Sequence, residues 1–321
     1  MLPKALYYRI LKYQHQNLAL LKRYFDLIEL DNPNENNEDI LAGIEVLFAP
    51  LGYNVNAEYM DRCPKLRAIV SNTTGIPHID AEEARRRGVV VCALHDEQTF
   101  LETITSTAEH TIGLILAASR KLPAAHAAAC KGCWDRKLWG APRMMSRMRL
   151  GLVGYGRLGR KVANIARAMG MEIDYYDPYV PGGVSTLIDL ARRSDVLSLH
   201  AVANEETKKI VNRTVLEALP RGAIVINTAR GELLETEALL DLLESGHLWA
   251  AALDTVEGEY SPDFSKTFIK SRIVHYARTH DNLILTPHIG GSTIDAWTAT
   301  EQRVIIKTCR VFGISIDQNV M

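Results

Sequence analysis

Apolar positions along this chain fall into short continuous runs, separated by stretches in which they recur at helical spacing. Runs at Ala5–Ile10, Asp26–Leu30, Glu45–Ala49, Leu66–Ser71 and Val89–Ala93 read as strands. Between them Leu18–Tyr24, Glu38–Ala42, Ala57–Asp61 and Ala81–Arg87 read as helices, the last with Asp80 as its N-cap. A longer helix is predicted over Ile104–Arg120, with Ile112, Ile115 and Leu116 on one face and His110 as a structural residue. The rhythm restarts at Arg149. Strands are predicted at Leu150–Val153, Glu172–Tyr176, Val196–Leu199, Ala223–Asn227, Leu248–Leu253 and Leu283–Leu285. Helices intervene near Leu158–Met169, Leu187–Arg192, Val215–Leu219 and Thr236–Ser245, and Ile294–Phe312 reads as one final helix. Residues 258–282 follow neither period. Strand alternating with helix implies α/β architecture, with parallel sheets covered on both faces.

Composition narrows the partners. With 321 residues the chain has room for two domains. An apolar content of 47% and a charged content of 23% are those of an ordinary globular protein. Net charge is −1 and the lysines and arginines are scattered, so no nucleic-acid partner is expected. No apolar run approaches a membrane span, and Met1–Ala5 does not open a signal peptide. Five cysteines without regular spacing suggest reduced thiols in a cytoplasmic setting. Cys130 and Cys133, with His126 one turn upstream, supply fewer ligands than a structural zinc site needs. No metal is therefore expected, and residues 122–148 read as a helical arm with incidental cysteines.

The stretch from Leu150 to Asp177 carries the first chemical signal. An apolar strand is followed by Gly154, Gly156 and Gly159 in GxGxxG spacing, a helical run, a second strand and a terminal acid. Gly154 permits a tight turn, Gly156 leaves room for a pyrophosphate, and Gly159 lets helix and strand approach. The helix N-terminus offers N–H groups and a positive dipole end to phosphates. Asp177 can accept hydrogen bonds from the hydroxyls of an adenosine ribose, which favours NAD over its 2′-phosphorylated form. Strand, glycines, helix and acid in this order point to dinucleotide binding.

Three more stretches follow predicted strand ends, where open α/β sheets bind ligands. They are Ile226–Glu232, Ala251–Glu259 and Leu285–Gly291, and they bring Arg230, Asp254, Glu257, Glu259 and His288 to the cofactor's edge of the sheet. Hydride transfer to a ketone also needs a proton, which histidine supplies near neutral pH. A carboxylate beside a histidine favours its protonated form and orients the ring. An arginine can hold a substrate carboxylate by a bidentate pair. Glu257 and Glu259 point to opposite faces if the segment is extended, so one of the two should reach the histidine.

On Leu152–Gly159, Asn227–Gly231, Ala252–Glu259 and Thr286–Gly291, the chain resembles the D-isomer-specific 2-hydroxyacid dehydrogenase family, which includes phosphoglycerate, glycerate, formate and D-lactate dehydrogenases. Lesser matches are Thr107–Thr111, Ser198–His200 and Gly75–Asp80. The resemblance implies an NAD-dependent enzyme interconverting a D-2-hydroxy acid and its 2-oxo acid. It implies Arg230 as the substrate-binding arginine, His288 as the acid/base residue and Glu259, rather than Glu257, as its partner. Asp254 would meet the nicotinamide carboxamide, and Arg157 and Leu158 the pyrophosphate. His200, Ala201, Thr228, Ala229, Gly290 and Gly291 fall at further cofactor contacts. The loop Asn72–Ile76, with Thr73, Thr74 and Gly75, would hold the substrate carboxylate.

The implied fold has a flavodoxin-like substrate domain over residues 1–98 and 292–321, and a Rossmann NAD-binding domain over 99–291, with the active site in the cleft between them. A homodimer is implied, with residues 122–139 as its arm. Residues 95–105 and 260–282 are longer than the family's usual connections. Ser71 stands where phosphoglycerate dehydrogenases often carry a cation, which argues against a phosphorylated substrate, and no regulatory domain is expected after the last helix. The other class of function is an NAD(H)-sensing or scaffold protein on the same fold. Such a protein needs Gly154, Gly156 and Asp177, but not Arg230, Glu259 and His288 together.

Overall fold

The computed structural model describes residues 1–139, 143–261 and 263–317. Residues 140–142, 262 and 318–321 fall in the expected arm, the irregular stretch and the end of the first expected domain, and they lie outside the described residues. The chain divides into two compact units, residues 1–104 with 293–321, and residues 105–292.

The first unit holds strands β1 (Lys4–Tyr8), β2 (Asp26–Leu30), β3 (Val46–Phe48), β4 (Ala68–Val70) and β5 (Val90–Cys92). All pair in parallel, in the order β2-β1-β3-β4-β5. Side chains alternate across the sheet. Ala5 and Tyr7 of β1 face a core layer with Phe25, Phe48 and the final helix's Val304, Ile305 and Cys309. Leu6 and Tyr8 face the other layer, with Leu47, Ile69 and Ile79. The final helix, Ile294–Val311, is the chain's return to this unit. This unit runs past the sequence-based boundary at 98 because Gln98–Leu101 forms a short helix whose Leu101 is buried in the first layer.

The second unit holds β6 (Arg149–Val153), β7 (Glu172–Tyr176), β8 (Val196–Leu199), β9 (Ala223–Asn227), β10 (Leu248–Leu253) and β11 (Leu283–Leu285). They form a parallel sheet in the order β11-β10-β9-β8-β6-β7. The central strands are buried on both faces, which is why they read as continuous apolar runs. On β9, Ile224 and Ile226 pack with the helix Ser106–Arg120, while Val225 packs with the helix Thr236–Glu244 on the opposite face. The strand order reverses at β6, which pairs with both β7 and β8. Crevices for ligands open at the carboxyl ends of strands at such a switch point.

Two segments depart from the sequence reading. Residues 258–282 contain the helices Phe264–Phe268 and Arg272–Thr279. They are short, and the second buries only Ile273 and Tyr276, too few positions to set up a period. Arg272 ties it to the helix Thr236–Glu244 through Glu237 at 2.8 Å, Asp241 at 2.7 Å and Glu244 at 3.2 Å. In the expected arm, Leu122–Cys130 is a helix with no buried residue, and Trp134 beyond it is 91% exposed.

Candidate functional site

Gly154 follows β6 with φ +94°, a conformation that favours glycine. A Cβ there would lie 2.7 Å from the backbone nitrogen of Ala201, so the glycine turn rests directly on the loop after β8. A Cβ on Gly159 would lie 2.4 Å from the Gly154 carbonyl oxygen. Gly156 differs: its Cβ would meet nothing within 4 Å. It is the N-cap of the helix Arg157–Ala168, with no side-chain cap and no acid in the first turn. Leu158 is half-buried in that turn.

Asp177 is joined to this loop. Its Oδ2 accepts the Tyr155 N–H at 2.7 Å and its Oδ1 the Tyr179 N–H at 2.9 Å. Tyr155 stacks on Tyr175 with ring centroids 3.9 Å apart, which braces the turn from the side. His200 lies beneath the loop, with its Nε2 2.9 Å from the Ser198 hydroxyl. Burial lowers its pKa to about 4, so the ring is neutral at pH 7. Open space before Gly156, an uncapped helix start and a carboxylate fixed beside the loop fit a dinucleotide's pyrophosphate and ribose.

The loops after β9, β10 and β11 build the second half of the site. Asn227 ends β9 fully buried. Its Nδ2 donates to the Arg230 carbonyl at 2.8 Å and its Oδ1 accepts the Ala229 N–H at 3.0 Å. Thr228 is held by its hydroxyl to that of Thr111, 2.8 Å away on the long helix. Arg230 is half-buried, and its Nη1 donates to the Ala229 carbonyl at 2.7 Å. A Cβ on Gly231 would sit 2.0 Å from the carbonyl carbon of Val256, so the Arg230 loop lies directly on the strand-end segment that leads to Glu259.

One residue, Gly258, separates the rival glutamates, and the structure separates their surroundings. Glu257 is exposed. After Gly258, at φ +75°, the Glu259 side chain turns inward to 11% exposure. Its Oε1 lies 2.9 Å from His288 Nδ1. The Tyr260 hydroxyl also lies 3.2 Å from that nitrogen. Burial first, then the Glu259 charge, pushes the Tyr260 pKa up to about 12, so it stays a neutral phenol. His288 Nε2 has no partner among the described residues, and the imidazole is 33% exposed. His288 itself sits at φ +52°, a strained conformation for a residue with a Cβ.

The turn carrying His288 is held by Asp254, which is 2% exposed. Its backbone carbonyl accepts the His288 N–H at 2.8 Å. Its Oδ1 accepts the Thr286 hydroxyl at 2.6 Å and the Ile289 N–H at 2.9 Å, and its Oδ2 the Gly290 N–H at 2.8 Å. His110 Nε2 lies 3.3 Å from Oδ1. Burial alone would raise this carboxyl's pKa, but those hydrogen bonds outweigh it and hold the value down to about 2. These hydrogen bonds make Asp254 the anchor of the turn. Gly290 likewise spends its N–H on Asp254, and Gly291 lies beside Thr107.

Thr73, Thr74 and Gly75 belong to the first unit, whereas Arg230, Glu259 and His288 belong to the second. Thr73 Oγ1 donates to the Gly75 carbonyl at 2.7 Å and lies 2.8 Å from the Ser71 hydroxyl, which shapes that loop from within. Thr74 is exposed. Sequence reading missed Asn227, Tyr260 and the reach of His110 to Asp254. A polar residue ending an apolar strand was a signal for Asn227, but nothing local marked the other two. Among the described residues, no group of three or more His, Cys, Asp or Glu converges as for a metal ion, and no helix is long and apolar enough to cross a membrane.

Residues 112–290 match the family described as D-isomer specific 2-hydroxyacid dehydrogenase, NAD binding domain. The chain is 34% identical over 296 residues to a D-3-phosphoglycerate dehydrogenase of Methanocaldococcus jannaschii, covering 88% of this chain and 53% of that protein. It thus spans about half the length of that relative. It is 32% identical over 313 residues to a glyoxylate reductase of Thermofilum pendens, covering 92% of this chain and 87% of that one. A solved structure of a putative D-isomer specific 2-hydroxyacid dehydrogenase from Polaromonas sp. superposes with a TM-score of 0.81 at 28% identity, covering 99% of both chains. A family match over more than half of the chain, and relatives at these identities over most of it, make this protein a member of the D-isomer specific 2-hydroxyacid dehydrogenase family, with residues 112–290 as its NAD-binding domain.

Proposed function

We propose that the protein is an NAD-dependent oxidoreductase that interconverts a D-2-hydroxy acid and its 2-oxo acid. The observation that carries this reading is the His288 Nδ1–Glu259 Oε1 contact at 2.9 Å, with Nε2 left without a partner among the described residues. Bound NADH supplies the hydride when the 2-oxo acid is reduced. The residues that would hold it are Gly154–Gly159, Asp177, Thr228 and Ala229. His288 then gives the Nε2 proton to the substrate oxygen: that N–H bond breaks, the hydroxyl O–H forms, and Glu259 faces the resulting neutral ring through Nδ1–H. Oxidation reverses the step, with Nε2 as base. Arg230 binds the substrate carboxylate. A cofactor sensor would have no use for a carboxylate turned inward onto a histidine, which supports the enzyme over the binding protein.

Two further proposals accompany this reading. Asp177 makes NADH the preferred cofactor, because its charge opposes a 2′-phosphate. The exposed apolar surface at Leu122, Trp134 and Leu138 supports a homodimer through this arm, and the free cysteines suit a reducing cytoplasm. The test is NADH and NADPH oxidation against pyruvate, glyoxylate, hydroxypyruvate and longer 2-oxo acids. Turnover of at least one acid with NADH, abolished in His288→Asn, is expected. No turnover across the panel refutes the activity, and equal kcat/KM with NADPH refutes the role of Asp177.

A further inference from the structure

We propose that His110 is a positioning residue for proton transfer: by donating from Nε2 to the buried Asp254 carboxylate and to Thr286, it fixes the turn that carries His288. The inference rests on the oxidoreductase reading above for its kinetic consequence, but its structural content stands apart from that reading.

The hydrogen bonds leave one consistent direction. The Thr286 hydroxyl has a single hydrogen, and it goes to Asp254 Oδ1 at 2.6 Å. Thr286 Oγ1 therefore faces His110 Nε2, at 3.2 Å, only as an acceptor. Asp254 Oδ1, at 3.3 Å from the same nitrogen, is also only an acceptor. Nε2 must then carry a hydrogen, shared between the two oxygens. His110 thereby completes the donor set of a carboxylate that is only 2% exposed.

What that carboxylate does is hold strained backbone. His288 stands at φ +52°, and a left-handed conformation at a residue with a Cβ persists only where its surroundings over-determine it. The restraints are the Asp254 carbonyl on the His288 N–H and the Asp254 carboxylate on the next two N–H groups, of Ile289 and Gly290. Packing adds a further limit. A Cβ on Gly290 would lie 2.9 Å from Asp254 Oδ2, 3.4 Å from Thr107 Cγ2 and 3.5 Å from His110 Cδ2, so helix and turn are in close contact. The helix Ser106–Arg120 buries Ile115 and Ala118 against the sheet, which makes it a rigid support. If His110 is removed, the Asp254 carboxylate can rotate toward its remaining donors, and the two amides after His288 lose their fixed acceptor geometry.

The experiment compares His110→Leu, His110→Asn and His110→Gln. Glutamine places an amide nitrogen where Nε2 was, whereas asparagine places one nearer the Nδ1 position, short of Asp254. Steady-state kinetics with NADH and whichever of pyruvate, glyoxylate and hydroxypyruvate is turned over is read beside amide hydrogen exchange of residues 286–291. In the Leu and Asn variants kcat is expected to fall about tenfold, with KM and NADH affinity changed less than about twofold. The Ile289 and Gly290 amides are expected to exchange about tenfold faster while those of β6 and β9 stay protected. His110→Gln restores both readouts. If His110→Leu does not fold, the Asn and Gln pair carries the comparison. Wild-type kcat and exchange in the Leu and Asn variants overturn the proposal, as does faster exchange spread throughout the second unit. If the wild-type protein reduces none of the acids, the oxidoreductase reading fails alone, and local exchange at Ile289 and Gly290 still decides the clamp.

Discussion

Replacing Gly231 by alanine puts a methyl carbon 2.0 Å from the Val256 carbonyl carbon, 2.1 Å from the Glu257 nitrogen and 2.5 Å from the Val256 oxygen. All three atoms are backbone, so no rotamer change makes room. The loop after β9 must separate from the segment after β10, and these carry Arg230 and Glu259. Overpacking costs about 1–3 kcal/mol where side chains can yield, and a backbone-on-backbone clash belongs at about 3 kcal/mol. For a unit of this size that corresponds to a fall in melting temperature of about 6–12 °C. Gly156→Ala is the control, because its Cβ would meet nothing within 4 Å and its φ of −76° suits any residue. Thermal unfolding followed by circular dichroism, with NADH titration and 2-oxo acid reduction on the same samples, separates the two. Gly231→Ala should lose stability and turnover together. Gly156→Ala should melt like wild type and lose NADH affinity, since the methyl enters the space assigned to the pyrophosphate. A Gly231→Ala protein with wild-type melting and kcat would refute the contact between the loops, and with it the claim that this contact sets the spacing of Arg230 and Glu259.

Arg230→Lys keeps the charge and loses the planar fork, so KM for the 2-oxo acid should rise about tenfold or more while NADH titration is unchanged; weakened NADH binding would make Arg230 a cofactor residue instead. Glu259→Gln should lower kcat by about tenfold or more, and Glu257→Gln should leave it alone, because Glu259 alone of the two lies 2.9 Å from His288; the reverse outcome in steady-state kinetics would overturn the pairing. Asp254 has its pKa lowered from 3.8 to about 2, so the stability it contributes is fully present above pH 4 and is lost as pH falls through 2. That contribution is about 2 kcal/mol, and acid titration followed by denaturant melts should show its loss in wild type and a shallower slope below pH 4 in Asp254→Asn.

Local patterning determined most of the secondary structure. The strands Val196–Leu199, Ala223–Asn227 and Leu248–Leu253 have the limits that their apolar runs predict, because a parallel strand covered on both faces must be apolar at successive positions, and the edge strands Asp26–Leu30, Glu172–Tyr176 and Leu283–Leu285 also have their predicted limits. The glycine loop was equally legible, since tight turns and close backbone approach admit few other residues. The helices Phe264–Phe268 and Arg272–Thr279 were not legible, being too short for a period and held by distant partners such as Glu237 and Asp241. Strand order is a matter of long-range pairing, and only the folded sheet sets β6 between β7 and β8. The inward turn of Glu259, the Tyr260 hydroxyl beside His288 and the approach of Gly231 to Val256 arise where loops from different strands meet. The same holds for His110, which reads as an ordinary helix residue until β10 brings Asp254 and β11 brings Thr286 to its imidazole. Periodicity is a property of neighbours in the chain and so survives in the sequence, whereas the choice of one hydrogen-bond partner among many is made by packing.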